Sequence, residues 1–177
     1  MSIFFTNFGH CTKILNFMLR KNVIGACIVF ASGLLFVNVY TSLVDATSWA
    51  ASLPDSAYTA RNYFKTVNPG SFFRIFSPVH QFLVLLLLIV CWKMGAGMRW
   101  LCFAALVLAI GADAFTFAYF YPRNTIIFTG QDPAVVERAV HEWATMNWLR
   151  SAMLALALCF FIVIQQKIYR KEIFATA

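Results

Sequence analysis

Five side chains suited to acid–base chemistry or anion binding interrupt or flank the long apolar stretches of the sequence. They are His80, Asp113, His141, Asn147 and Arg150. Imidazole titrates near neutral pH and serves as a general base, whereas arginine donates hydrogen bonds to an anionic oxygen. Asn147 and Arg150 are three residues apart and share a helix face, with Trp143 a turn above. The set predicts a polar pocket that binds an oxygen atom.

Asp113 and Arg150 are the two formal charges inside the apolar stretches. An isolated charge is costly in lipid, so we expect these two side chains to approach each other. Two interpretations stay open. The pair either pins the third and fourth helices together, or lines a pocket in which Arg150 binds an anionic oxygen.

The composition determines the kind of scaffold that holds these residues. The 177 residues are 61% hydrophobic and 12% charged, against about 45–50% and about 25% in soluble domains. This excludes a water-soluble globule, a disordered chain, a coiled coil and a disulfide-rich secreted module. Four apolar runs approach the roughly 20 residues that cross a bilayer, and lipid offers no hydrogen-bond partners to other backbone conformations. We predict one all-α domain, residues 1–177, a four-helix transmembrane bundle with spans at about 23–45, 77–93, 99–121 and 145–167.

The basic residues predict the orientation. Eight cations face one acid, Glu172, on the side that holds both termini and the connection between spans two and three: Lys13, Arg20, Lys21, Lys93, Arg99, Lys167, Arg170 and Lys171. Charges in the other two connections cancel. The positive-inside rule places both termini in the cytoplasm and the multi-pass chain in the plasma (inner) membrane. The basic charge therefore indicates topology and membrane lipid as a partner, with no nucleic acid.

Three segments outside the spans carry structure of their own. Residues 3–19 place apolar side chains on one helical stripe, which predicts an N-terminal interfacial helix, with a frayed tail as the alternative. The first outer loop is structured: Pro54 and Asp55 start a short helix over residues 58–67, closed by residues 68–70. Its aromatic residues form either an interfacial belt or a lid over an outward pocket. Asp132-Pro133 starts a fourth helix that runs to about Arg170.

With this orientation, nearly all other polar side chains near the bilayer fall in its outer half. Asn38, Gln81 and Tyr119 are therefore candidate binding residues. His80, His141, Asp113 and Glu142 could supply metal ligands, yet no two of them have a typical ligand spacing. A metal is neither predicted nor excluded.

The order of these motifs resembles the anthrone oxygenase-like family of small membrane proteins. The likeness covers roughly residues 23–167. It consists of four spans, an aromatic first outer loop with proline, Pro122-x-Asn124 after span three, and Trp143-x-x-x-Asn147-x-x-Arg150 opening span four.

The resemblance implies an oxygenase that converts the methylene of a polycyclic aromatic anthrone to a carbonyl with O₂ and no cofactor. By analogy, Asn124, Asn147 and Arg150 belong to the site. His80 or His141 would act as the base, and Arg150 with Asn147 would donate hydrogen bonds to the enolate oxygen. The apolar slot would include Phe115, Trp143 and Trp148.

Two other classes of function remain open. One is a non-enzymatic membrane module that binds a lipid, a quinone or a partner helix, in which the polar cluster is structural. The other is a small proton-coupled transporter that uses Asp113. The oligomeric state is not predicted.

Overall fold

The computed structural model of the chain describes the backbone of residues 3–176 and the side chains of residues 15–171. No residue of that backbone forms a strand, which confirms the all-α prediction. The helices are α1 (Ile3–Tyr40), α2 (Ala46–Ala50), α3 (Asp55–Tyr63), α4 (Pro69–Cys91), α5 (Ala96–Phe115), α6 (Tyr121–Thr129) and α7 (Pro133–Thr176).

Four helical stretches are long and apolar enough to cross a membrane. They are Leu15–Ala50, Pro69–Met94, Ala96–Thr129 and Pro133–Lys171. The chain is a multi-pass membrane protein with a four-helix bundle, as its composition predicts.

The four long helices pack in a ring in the order α1, α4, α5, α7. Each span lies beside neighbours that run in the opposite direction. Gly95 permits the tight reversal between α4 and α5, because its φ of 110° strains any residue with a Cβ atom. We call the end with this turn and both chain termini the basic end, and the end with α2, α3 and α6 the cap end.

Two helices extend beyond the predicted spans, and a proline lies in each extension. Asn68 is extended, and Pro69 at the first position of α4 starts this helix well before residue 77. The third predicted span ends at about residue 121. The helical backbone continues through Pro122 to Thr129, and the π-helical turn of residues 116–120 leads directly into α6.

The other predicted segments are helical. Residues 3–19 belong to the continuous helix α1, and the predicted stripe at Phe4, Phe8 and Cys11 lies outside the described side chains. α3 corresponds to the short helix predicted in the first outer loop. The fourth span is one helix from Pro133, as predicted.

The bundle contains two apolar cores with a polar layer between them. Towards the basic end, the core is built from residues such as Ile24, Leu87 and Phe161. The cap-end core contains Trp49 and Trp143. The buried polar side chains between the cores are Asn38, Thr41, Ser42, Ser77, His80, Asn147, Arg150 and Ser151. This layer coincides with the predicted polar pocket.

One arginine ties the cap helices together. Arg61 of α3 donates hydrogen bonds from Nε to the Ile127 carbonyl at 2.8 Å and from Nη2 to the Gly130 carbonyl at 2.7 Å. These carbonyls lie at the C-terminus of α6, where helical partners are lacking. The contact holds α3 and α6 together over one side of the bundle.

Candidate functional site

A cavity of about 500 Å³ opens at the cap end beside the polar layer. α4 and α5 supply much of its wall, and residues of α2, α6, α7 and the segments Thr41–Asp45 and Thr116–Phe120 complete it. Its aromatic lining consists of Trp49, Phe73, Phe117, Phe120, Tyr121, Phe128 and Trp143. Its polar lining consists of Thr41, Asn68, Arg74, Ser77, Gln81, Asp113, Thr116, Asn124 and Arg150.

Arg150 is the most constrained polar group of this cavity. Its side chain is 6% exposed, and its guanidinium carbon lies 4.7 Å from the ring centre of Phe73 and 4.8 Å from that of Phe120. Nε donates to Asn38 Oδ1 at 2.6 Å and Nη1 to Thr116 Oγ1 at 3.1 Å. Nη2 has no partner among the described residues and is not sealed from the cavity. The cation contacts two aromatic rings and two hydrogen-bond acceptors, and its Nη2 group is available to an occupant of the cavity.

Asn38 and Asn147 join α1 to α7 directly behind this arginine. Asn38 Nδ2 donates to Ser151 Oγ at 2.6 Å and to the Asn147 carbonyl at 3.2 Å. Asn147 Nδ2 lies 3.1 Å from the Asn38 carbonyl and 2.7 Å from Ser42 Oγ. The Asn147 amide therefore donates to α1 and to the turn that follows it, and Asn147 is absent from the described cavity lining. Its hydrogen bond to an enolate oxygen stays a prediction.

Two π-helical turns position the hydroxyl groups of the layer. One covers Thr41–Asp45 after α1, and the other covers Thr116–Phe120 after α5. Each begins with a threonine: Asn147 Nδ2 lies 3.2 Å from Thr41 Oγ1, and Thr116 Oγ1 accepts from Arg150. π-Helical turns are rare and occur often at functional sites. Here the two threonines line the same cavity as Arg150.

Asp113 and Arg150 approach each other, as expected, but form no salt bridge within the described part of the chain. Both side chains line the cavity, close enough for each charge to act on the other. Asp113 Oδ2 accepts a 2.6 Å hydrogen bond from Gln81 Nε2. Asn38, rather than Asp113, accepts the hydrogen bond from Arg150 Nε, so no carboxylate occupies the remaining edge of the guanidinium.

His80 lies beside the cavity and not in its lining. It is 2% exposed, with its ring 5.7 Å from that of Phe161, and neither ring nitrogen has a hydrogen-bond partner. A separate void of about 10 Å³, large enough for about one water, touches His80, Asp113 and Arg150. The structure thus brings His80 near the site, but behind Asp113.

The remaining predicted residues divide between the cavity and other places. Asn124 and Trp143 line the cavity. Phe115 and Tyr119 stack on each other at 5.2 Å and are absent from its described lining. Trp148 is 49% exposed on the outside of α7. His141 has a 65% exposed side chain near Glu137, so it does not join the group.

Several residues of the site carry no distinctive sequence signal. Phe73 and Phe120 cover the guanidinium, yet they are two of 19 phenylalanines in the chain. Thr41 and Thr116 offer a weak signal, because each is a hydroxyl within an apolar run. Their roles follow from the π-helical turns, which local patterns do not predict.

The described side chains contain no group of three histidine, cysteine or acidic residues close enough to hold a metal ion. Of the four candidate ligands, Glu142 pairs with Arg123 at 2.7 Å, and His141 is exposed. The site therefore offers a buried cation, one carboxylate and aromatic walls as its chemical groups.

No model of a known protein family matches the chain, and no curated protein or solved structure shows a significant match to it. The resemblance to anthrone oxygenase-like proteins stays a prediction.

Proposed function

We propose that this membrane protein binds a flat aromatic molecule whose oxygen substituent accepts a hydrogen bond from Arg150. The observation that carries the proposal is the guanidinium itself, buried, covered by two rings and open along one edge. No carboxylate hydrogen-bonds this cation, and its open edge can donate to an oxygen of a ligand. A phenolate or enolate oxygen is such an acceptor.

The size and lining of the cavity support the same class of ligand. Its volume of about 500 Å³ lies within the range of about 300–1,000 Å³ typical of small-molecule sites. Trp49, Phe120 and Trp143 form part of one packed aromatic wall. Fused aromatic rings pack well on such walls through offset-stacked or edge-to-face contacts.

The proposed reaction follows the family resemblance and is the oxidation of an anthrone methylene by O₂. Asp113 takes one methylene proton, and Arg150 stabilises the resulting enolate oxygen. The carbanion passes an electron to O₂, and the radical pair combines to a peroxide anion on the same carbon, which takes the proton back from Asp113. Loss of water then leaves a carbonyl. The carbon loses four electrons, O₂ accepts four, and its two oxygen atoms end in the carbonyl and in water.

The test measures ligand binding and O₂ consumption on the same purified protein. A hydroxyanthraquinone is the unreactive probe, followed by quenching of tryptophan fluorescence, because Trp49 and Trp143 line the cavity. Anthrone is the substrate, followed with an oxygen electrode. We expect Arg150→Met to lower probe affinity about 10- to 100-fold, because it removes a charged hydrogen bond, and to abolish O₂ consumption.

Arg123→Gln is the matched control. Arg123 is a cap-end arginine that pairs with Glu142 and Tyr119 outside the cavity. This variant should bind and turn over as the unchanged protein does. Equal affinity in the Arg150→Met variant would contradict the binding proposal.

A binding role without catalysis is the second candidate function. Asp113 is the one carboxylate among the described residues that line the cavity, and Gln81 already donates to it. With this hydrogen bond in place, the Asp113 carboxylate is better suited to accept hydrogen bonds than to remove a proton from a substrate. Binding of the probe without any O₂ consumption from anthrone would select this candidate.

We propose that the basic end faces the cytoplasm and that the membrane is the plasma (inner) membrane. The support is the excess of lysine and arginine at this end. A fluorescent protein fused to the C-terminus should fluoresce, and alkaline phosphatase fused there should be inactive. The reverse pair of results would contradict the orientation.

A further inference from the structure

A second cavity lies at the basic end, between α1 and the end of α4. Its volume is about 530 Å³. We call it the basic groove, and its lining residues are Asn16, Leu19, Arg20, Ile89, Val90, Trp92 and Lys93. None of these residues belongs to the cap-end site, so the groove requires its own explanation.

Two cations lie on this groove. Arg20 Nε donates to the Val90 carbonyl at 2.9 Å, which fixes the guanidinium across the gap between α1 and α4. Lys93 is exposed on the turn that follows α4. Neither residue forms a salt bridge with a described side chain. The pair is therefore suited to an anionic group that brings its own negative charge.

The rest of the groove is apolar and continues along the bundle surface. Leu19 and Ile89 are exposed, the latter at 60%. Leu85 and Phe82 lie four and seven residues before Ile89, on the same face of α4, and are also exposed. Because α4 spans the membrane, this stripe faces acyl chains rather than water.

We propose that the basic groove binds an anionic glycerophospholipid. Its phosphate contacts Arg20 and Lys93, Trp92 lies at the level of the glycerol esters, and one acyl chain follows the stripe of Ile89, Leu85 and Phe82. Cationic pockets between membrane helices are suited to anionic headgroups, and tryptophan favours the interface. A soluble phosphate would match the two cations but not the adjoining apolar stripe.

The test measures which lipids stay with the full chain. The protein is purified in mild detergent from vesicles with an excess of phosphatidylcholine over phosphatidylglycerol, and bound lipid is counted by native mass spectrometry. We expect phosphatidylglycerol to be enriched over its bulk share. The double variant Arg20→Gln and Lys93→Gln should lower this enrichment about tenfold.

The matched control removes two other cations from the same end. Lys21 and Lys167 are exposed and are absent from the groove lining. The double variant Lys21→Gln and Lys167→Gln should keep most of the enrichment. Equal losses in both double variants would overturn the proposal, since they would indicate a diffuse surface charge effect.

A single variant and a competition experiment complete the test. If loss of the Arg20–Val90 contact prevents folding, Lys93→Gln alone should still lower the enrichment about threefold. Inorganic phosphate at millimolar concentration should not displace the lipid. Displacement by phosphate, or equal retention of phosphatidylcholine and phosphatidylglycerol, would overturn the assignment of a phospholipid site. The result does not depend on ligand binding at the cap end.

Discussion

The two ends of the bundle contain cavities of similar volume, and both place arginine beside apolar residues. At the cap end, Arg150 is buried between two phenyl rings and held by two hydrogen bonds. At the basic end, Arg20 is half-buried and held through Nε alone, and Lys93 is exposed. Both sites carry positive charge, but they differ in burial and in fixed geometry. For this reason we propose that Arg150 binds one oriented oxygen atom and that the basic groove binds a lipid headgroup.

The largest difference between the two ends is expected when a carboxylate is placed beside each arginine. Asn38→Asp puts an anion where Oδ1 lies 2.6 Å from Arg150 Nε, in a region of low dielectric. We expect about a 100-fold loss of hydroxyanthraquinone affinity, because the cation is then neutralised. Fluorescence quenching measures the loss, and circular dichroism checks that the helices are retained.

Asn16→Asp is the corresponding change at the basic end. Asn16 lines the basic groove with Arg20, one helical turn away. Because exposed ion pairs contribute little, phosphatidylglycerol enrichment should fall by no more than about fivefold. Similar losses at the two ends would show that burial does not distinguish them.

The next-largest difference is expected in how ligand binding at the two sites depends on ionic strength. Raising salt from about 0.1 M to about 1 M shortens the screening length from about 10 Å to about 3 Å. Lipid enrichment at the basic groove should then fall about tenfold, whereas probe affinity at the cap end should change little because Arg150 is buried. Titrations at several salt concentrations measure both slopes. Parallel slopes would mean that Arg150 is reached by solvent.

A smaller effect is expected from the rings that cover Arg150. Phe120→Leu removes one of the two phenyl faces. A cation–π contact contributes about 0.5–2 kcal/mol, so probe affinity should fall about 2- to 30-fold. Phe103→Leu is the control, since Phe103 is exposed on α5 away from the cavity. An unchanged affinity in Phe120→Leu would show that the ring only fills space.

The smallest effect concerns His80. Both of its ring nitrogens are buried without a partner beside Phe161. His80→Phe removes these unsatisfied groups, so the melting temperature should stay level or rise by a few degrees, with probe affinity within about twofold. Thermal unfolding in detergent measures the first quantity. A large loss of turnover in this variant would give His80 the catalytic role that the sequence predicts.

Sequence reasoning found the ionisable and amide side chains of the polar layer, because such residues are costly in lipid and therefore conspicuous. These residues are Asn38, His80, Asn147 and Arg150. It missed the hydroxyl groups of the layer, which are Thr41, Ser42, Ser77 and Ser151. It also did not find the hydrogen-bond partners: Asp113 accepts from Gln81, and Arg150 donates to Asn38.

The helix boundaries were likewise predicted only in part from the sequence. The apolar runs predict the four spans, but Pro69, which was assigned to the end of the loop helix, starts α4, and the third helical stretch continues beyond residue 121 through Pro122. A proline in the first turn of a helix and a proline after its last turn look alike in a sequence. Only the neighbouring helices decide which of the two is realised.

The amino-acid sequence by itself determined that this chain is helical and crosses a membrane several times, because each apolar run must satisfy its own backbone hydrogen bonds in lipid. That requirement applies to each apolar run separately, so it can be evaluated from the sequence one run at a time. The tertiary structure alone decided that Arg150 contacts Phe73, Phe120 and Asn38. Such a meeting depends on the rotation of α1, α4, α5 and α7 about their axes and on two π-helical turns, and packing between helices sets both.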